Sequence, residues 1–187
     1  MIAAMPMVKP SITGASLLAV AWTGWPHKLG LMSAACVGIA AGALVEQALG
    51  SGLQVVLDLQ PGQADFLTQA KQYEELLKRP NVGLALDAEW RLAPGQLPLQ
   101  QIGSVEASEI NKTSEWLAQL TRDNQLPQKS LILHQFSMSM IQNREAINTK
   151  HPELAFVLHA DGHGTPDLKT GTWNALQEGL PEGIRMA

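Results

Sequence analysis

Four short apolar runs in this chain turn polar only at their C-terminal ends. They are Val55-Val56-Leu57-Asp58-Leu59-Gln60, Gly83-Leu84-Ala85-Leu86-Asp87-Ala88-Glu89-Trp90, Leu131-Ile132-Leu133-His134-Gln135-Phe136 and Ala155-Phe156-Val157-Leu158-His159-Ala160-Asp161. Such runs, bounded by turn residues, predict strands buried on both faces. Helical spacing fills the intervals. Asp65 opens a helix in which Phe66, Ala70, Tyr73, Leu76 and Leu77 share a face, and Pro80 ends it. Ser104 reads as the N-cap of a second helix, with Glu106 and Glu109 near the positive end of its dipole and Ile110, Thr113, Trp116, Leu117 and Leu120 as its buried stripe. A third helix is expected over 138–147, with Met138, Ile141 and Ile147 inward, and a fourth over 168–180, packing through Trp173 and Leu176. Pro181-Glu182-Gly183-Ile184 reads as the turn into a further strand.

Strand and helix thus alternate four times, which implies an α/β fold with a parallel sheet. A doubly wound sheet and a (β/α)8 barrel both fit the order. Asp58-Leu59-Gln60-Pro61-Gly62 lacks the dinucleotide-loop spacing, and catalytic groups at the ends of several different strands are the barrel pattern. The expectation is therefore a (β/α) barrel type, incomplete at four β-α units. Residues 91–103, with Pro94-Gly95 and Pro98, carry no periodicity and predict a binding loop or lid directly after the Asp87–Glu89 strand end.

Charge divides the chain differently. Up to Val45 the only charged side chains are Lys9 and Lys28, and Glu46 is the first acid. Residues 1–44 therefore read as an apolar N-terminal segment and 45–187 as the partial barrel domain. Ser11 to Trp25 and Leu29 to Val45 fit a membrane anchor, an uncleaved export signal or buried Ala/Gly-rich helices, and Gly38 and Gly42 have the spacing of closely packed membrane helices. Ser33-Ala34-Ala35-Cys36 has a faint likeness to a lipoprotein processing site. These readings give a secreted or envelope location with membrane association through the N-terminus, or a cytoplasmic one if the segment is not an export signal. A net charge of -4 with scattered Lys and Arg argues against nucleic acid as a partner. One cysteine excludes an internal disulfide and a multi-thiolate zinc site.

The segments Leu57 to Gly62, Gly83 to Arg91, Leu133 to Phe136 and His159 to Gly162 resemble a group of secreted or lipoprotein-type actinobacterial proteins with a glycoside-hydrolase-like (β/α) barrel. The resemblance covers roughly Val45 to Ile184 and implies a barrel hydrolase acting on carbohydrate, of which this chain carries the middle.

The candidate chemistry sits at the strand ends. In an extended strand Asp87 and Glu89 point the same way, about 6.5 Å apart at Cα. With Asp58 and Asp161 they form the candidate catalytic set, since glycosidases need two carboxyls across the scissile bond. Gln60, Trp90, Arg91, His134, Gln135 and His159 are candidate binders of a carbohydrate or other small polar substrate, Trp90 offering an apolar face to a sugar ring. That reading needs no cofactor. A rival reading makes His134, His159, Asp161 and His163 ligands of Zn²⁺ or Mn²⁺ in a metal-dependent hydrolase. A third is a non-catalytic carbohydrate-binding barrel or an inactive fragment.

Overall fold

A computed structural model of the chain describes residues 16–22 and 42–187. Six strands form one sheet: β1 (Ser16–Trp22), β2 (Gln54–Gln60), β3 (Val82–Asp87), β5 (Lys129–His134), β7 (Leu154–His159) and β8 (Ile184–Met186). Their spatial order is β1-β2-β3-β5-β7-β8 and every ladder among them is parallel, so the sheet follows chain order without reversal. The other two strands, β4 (Val105–Glu106) and β6 (Ile141–Gln142), pair with each other beside the main sheet. The protein is thus α/β with a parallel sheet.

The strands sort their side chains by the period of 2. On one face Val55, Leu57, Leu59, Leu84, Leu86, Leu131, Leu133, Phe156 and Leu158 join a single apolar cluster. Helices α1 (42–50), α2 (Phe66–Gln72), α4 (Ala107–Asp123) and α5 (Pro166–Gln177) contribute Val45, Phe66, Ala70, Ile110, Leu117 and Leu176 to it. The alternate strand positions, among them Val56, Asp58, Ala85, Asp87, Ile132, His134, Val157 and His159, face the other way. That second face is apolar toward the strand starts and polar at the strand ends.

Several elements differ from the sequence expectation. The Asp65 helix is capped as foreseen, the Asp65 carboxylate accepting the Thr68 N–H at 2.7 Å. It breaks at Tyr73, however, and resumes as α3 (Glu74–Leu77). No helix covers 138–147; a 3₁₀ turn (Met138–Met140), β6 and a second 3₁₀ turn (Arg144–Ala146) replace it. Ser137 caps the first turn with its side chain and Asn143 takes a left-handed φ of 52°, both of which interrupt a helical ladder. Ile141 and Ile147 are buried as expected, but Met138 is exposed and Met140 takes its place inside. Ser104 does not cap α4; its hydroxyl donates to the Ser139 carbonyl, and Val105–Glu106 stays extended to pair with β6 before the helix starts at Ala107. Helix α5 starts two residues early, with Pro166 in its first turn, and buries Leu176 while Trp173 stays 37% exposed.

Of the first apolar stretch, Ser11 to Trp25, the described residues 16–22 form a strand whose seven residues pair with all of β2, from Ser16 opposite Gln54 to Trp22 opposite Gln60. Cys36 and Gly38, on which the lipidation and helix-packing readings rest, lie outside the described residues. No helix among the described residues is long and apolar enough to cross a membrane.

Candidate functional site

The C-terminal ends of β2, β3, β5 and β7 bring Asp58, Asp87, His134 and His159 together on the second face. Register does this: Asp87 is the ladder partner of His134, and His134 of His159. Asp161 follows two residues later, past the end of β7. Gly162 after it lies against α5, where a Cβ would come within 3.2 Å of the Thr172 methyl, so the backbone here runs closer to the helix than a larger residue allows.

His134 is the hub. Its Nε2 lies 3.2 Å from the Asp58 carboxylate and its Nδ1 is 3.1 Å from that of Asp161. The same Nδ1 is 3.2 Å from Nδ1 of His159, the two rings meeting edge to face. Burial opposes a charge on His134, but the bonds to Asp161 and Asp58 outweigh it and push its pKa up to about 10. At Asp161 burial acts upward, yet the His134 contact prevails and the carboxyl is held below its ordinary value.

Asp87 has the opposite balance. It is 6% exposed, one oxygen accepts from the Gln60 amide at 3.3 Å, and the other has no partner among the described residues. Desolvation, followed by the Asp58 charge, pushes its pKa up to about 7. Asp58 is 3% exposed and also keeps one oxygen unpartnered. Two buried acids thus face the cluster with free acceptor positions.

Glu89 does not extend the strand pattern. β3 ends at Asp87 and a 3₁₀ turn (Ala88–Trp90) follows, so the two acids are not strand neighbours of the same face. Glu89 nevertheless stays within electrostatic reach. Burial and then the Asp161 charge raise its pKa, against the indole N–H of half-buried Trp90 and the charges of His134 and His163.

Three other candidate residues are committed elsewhere. Arg91 pairs with Glu109 at 2.9 Å and donates to the Leu92 carbonyl, while the Glu109 carboxylate also accepts the Phe66 N–H. Gln135 is wholly buried, its amide donating to the Ser137 carbonyl and accepting from Arg144. His163 meets the Phe136 ring at 5.4 Å and lies outside the His134–His159–Asp161 group.

The loop over 91–103 is fastened at its base. Gly103 donates to the Glu89 carbonyl at 2.7 Å, Ser104 to that of Arg91, and Leu92 to that of Gly62. A Cβ on Gly103 would lie 2.5 to 2.7 Å from the carbonyl oxygens of Arg91, Glu89 and Ala88, so the closure admits only glycine. Beyond the closure Leu97, Leu99 and Ile102 are exposed. Trp22 is the strand-end residue that sequence reasoning missed: it stands at the carboxyl end of β1 opposite Gln60. Its signal was the Thr23-Gly24 pair that follows a seven-residue run in the sequence, hidden by the apolar character of the whole segment.

No protein-family model, curated protein or solved structure matches the chain.

Proposed function

We propose that this chain is a (β/α)-barrel-type, glycoside-hydrolase-like domain that cleaves a polar substrate, a carbohydrate, over the strand ends carrying Asp58, Asp87, His134, His159 and Asp161. The observation that carries this reading is the convergence of those five side chains, from consecutive parallel strands, on one face and at one end. In a barrel that end holds the chemistry. Strand order supports the barrel, because a doubly wound sheet reverses its order and this one does not.

The acids divide by environment in the way that acid–base hydrolysis requires. Asp87, its pKa raised to about 7, is protonated in about half of the molecules at neutral pH, and that form donates its proton to the leaving oxygen. Asp161 stays ionised and, with His159 beside it, accepts the proton of the attacking water. His134 holds that side in place from beneath. Glu89 and Trp90 sit in the turn that leaves β3 directly after Asp87, where an indole face and a carboxyl suit a sugar ring and its hydroxyls.

Hydrolysis of a panel of polysaccharides and aryl glycosides tests the reading. General acid catalysis contributes roughly 10²- to 10⁴-fold, so Asp87→Asn should lower turnover by that order on any substrate cleaved. Unchanged turnover in both Asp87→Asn and Glu89→Gln would overturn the carboxylate mechanism. Retention of a polysaccharide without cleavage would make the domain a binding barrel instead.

A further inference from the structure

We infer that His134, His159 and Asp161 form a binding site for one divalent transition-metal ion, zinc by preference. The spacing of the donor atoms carries the inference. The two imidazole Nδ1 atoms are 3.2 Å apart, and the Asp161 carboxylate oxygen is 3.1 Å from His134 Nδ1. One such atom from each of the three residues lies within 4.8 Å of the others. Tetrahedral zinc with bonds of about 2.0–2.2 Å holds its ligands roughly 3.3–3.6 Å apart. Two of the three separations are therefore already near the bound value, and only the contact between His159 and Asp161 has to close.

The outer shell is in place as well. Metal-bound histidines characteristically turn their second nitrogen toward a carboxylate, which fixes the tautomer and leaves the first nitrogen's lone pair on the ion. His134 has such a carboxylate at hand, its Nε2 3.2 Å from Asp58 though not aligned for a hydrogen bond. Asp58 is nearly completely buried and still has an unpartnered oxygen, as has Asp87 on the adjoining strand end.

Access and chemistry agree. His134 is buried in the sheet, whereas the Asp161 side chain is 32% exposed, so the group reaches solvent on the Asp161 side. Two imidazoles and a carboxylate without thiolate are donors that zinc accepts and that calcium and magnesium do not favour. The inference extends the proposed hydrolase without depending on it. With the ion bound, His159 and Asp161 serve as ligands, and the metal-held water takes over the basic side of the reaction.

The test is binding, not turnover. Full-length protein stripped with EDTA and dialysed is titrated with Zn²⁺ by calorimetry, alongside competition against a chromogenic zinc chelator. One equivalent per chain is expected. Asp161→Asn and His159→Ala should each weaken binding by more than about 100-fold, and Asp58→Asn, acting only through His134, by about 10- to 100-fold. His163→Ala should leave affinity unchanged. Asp161 lies on the open rim, so its variant keeps the test valid if the histidine variant fails to fold, with circular dichroism checking each. Binding that survives both Asp161→Asn and His159→Ala, or no stoichiometric binding at all, would overturn the site. Zinc bound without hydrolysis would sustain the metal site and remove the hydrolase; hydrolysis in EDTA-treated protein that binds no zinc would do the reverse.

Discussion

The two ends of the parallel strands bury polar groups in different ways. At the amino end, Lys129 is 2% exposed and its ammonium donates to the carbonyls of Arg79 and Val82, both at 2.8 Å. Asn81 beside it donates to the carbonyls of Val45 and Leu53. These groups tie strand starts to their neighbouring turns and face no charged partner. At the carboxyl end, Asp58, Asp87, His134 and Asp161 face one another, and two of the carboxylates keep open acceptor positions. At the amino end the side-chain donors are spent on main-chain carbonyls; at the carboxyl end two acids keep oxygens that no donor reaches. Buried carboxylates held together without full compensation cost stability, and among the described residues that arrangement lies at the carboxyl end.

The amino end breaks this comparison most forcefully if its lysine is dispensable. Lys129→Ala removes the ammonium donor from the Arg79 and Val82 carbonyls and the volume of a buried side chain, and should lower unfolding stability by about 3–5 kcal/mol in urea titrations. Lys129→Met keeps the volume and should lose less. Burial alone brings the Lys129 pKa down to about 8 from 10.5. Between those values the unfolded chain binds the extra proton, so the folded state gains stability as pH rises through that window. That gain should vanish in Lys129→Met.

At the carboxyl end the sign reverses. Asp87 binds its proton more tightly when folded, from 3.8 up to about 7, so in metal-free protein stability falls as pH rises across that interval. Asp87→Asn retains an acceptor for Gln60 and removes the charge. It should raise stability at pH 8 by roughly 2–4 kcal/mol, read from denaturant midpoints, while suppressing any hydrolysis. A destabilised Asp87→Asn would mean that this acid is structural, like the groups at the other end.

A smaller effect is expected where the loop closes over that end. Gly103→Ala drives a methyl into three carbonyl oxygens and should cost about 1–3 kcal/mol, with faster proteolysis within 91–103 as the readout. The corresponding substitution at Gly50, where a Cβ meets nothing within 4 Å, should change little.

Part of this contrast was legible in the sequence. Strands buried on both faces must be apolar along their length, so a polar residue appears only where the strand leaves the sheet. Asp58, Asp87, His134 and His159 stood out for that reason. Strand order was not legible from any single run, and the His134–His159 contact exists only because β5 and β7 are neighbours. Glu89 was misplaced because alternation was extended one turn past the true end of β3. The helix expected over 138–147 failed because Met138, Ile141 and Ile147 fit helical spacing, while the serines at 137 and 139 and the left-handed Asn143 settle the backbone locally. In residues 16–22 composition carried no signal, since an Ala- and Leu-rich run suits helix and strand alike; parallel pairing with β2 decided it.

The finest test lies with an acid at the carboxyl end that is not part of the cluster. Asp65 follows β2 and caps α2, its two oxygens accepting from the Thr68 N–H at 2.7 Å and the Thr68 hydroxyl at 2.8 Å. The Thr68 amide, ahead of a weaker opposing effect of burial, holds its pKa below 3.8. Because the folded state favours the ionised form, the cap's contribution is present above the unfolded pKa and is lost as pH falls through the folded one. Asp65→Ala should therefore cost about 1 kcal/mol at neutral pH and less in acid, measured by thermal or urea unfolding, while Asp65→Asn retains most of the cap. Opposite signs for Asp65→Ala and Asp87→Asn at the same pH would separate an acid that builds the fold from one that the fold carries at a cost.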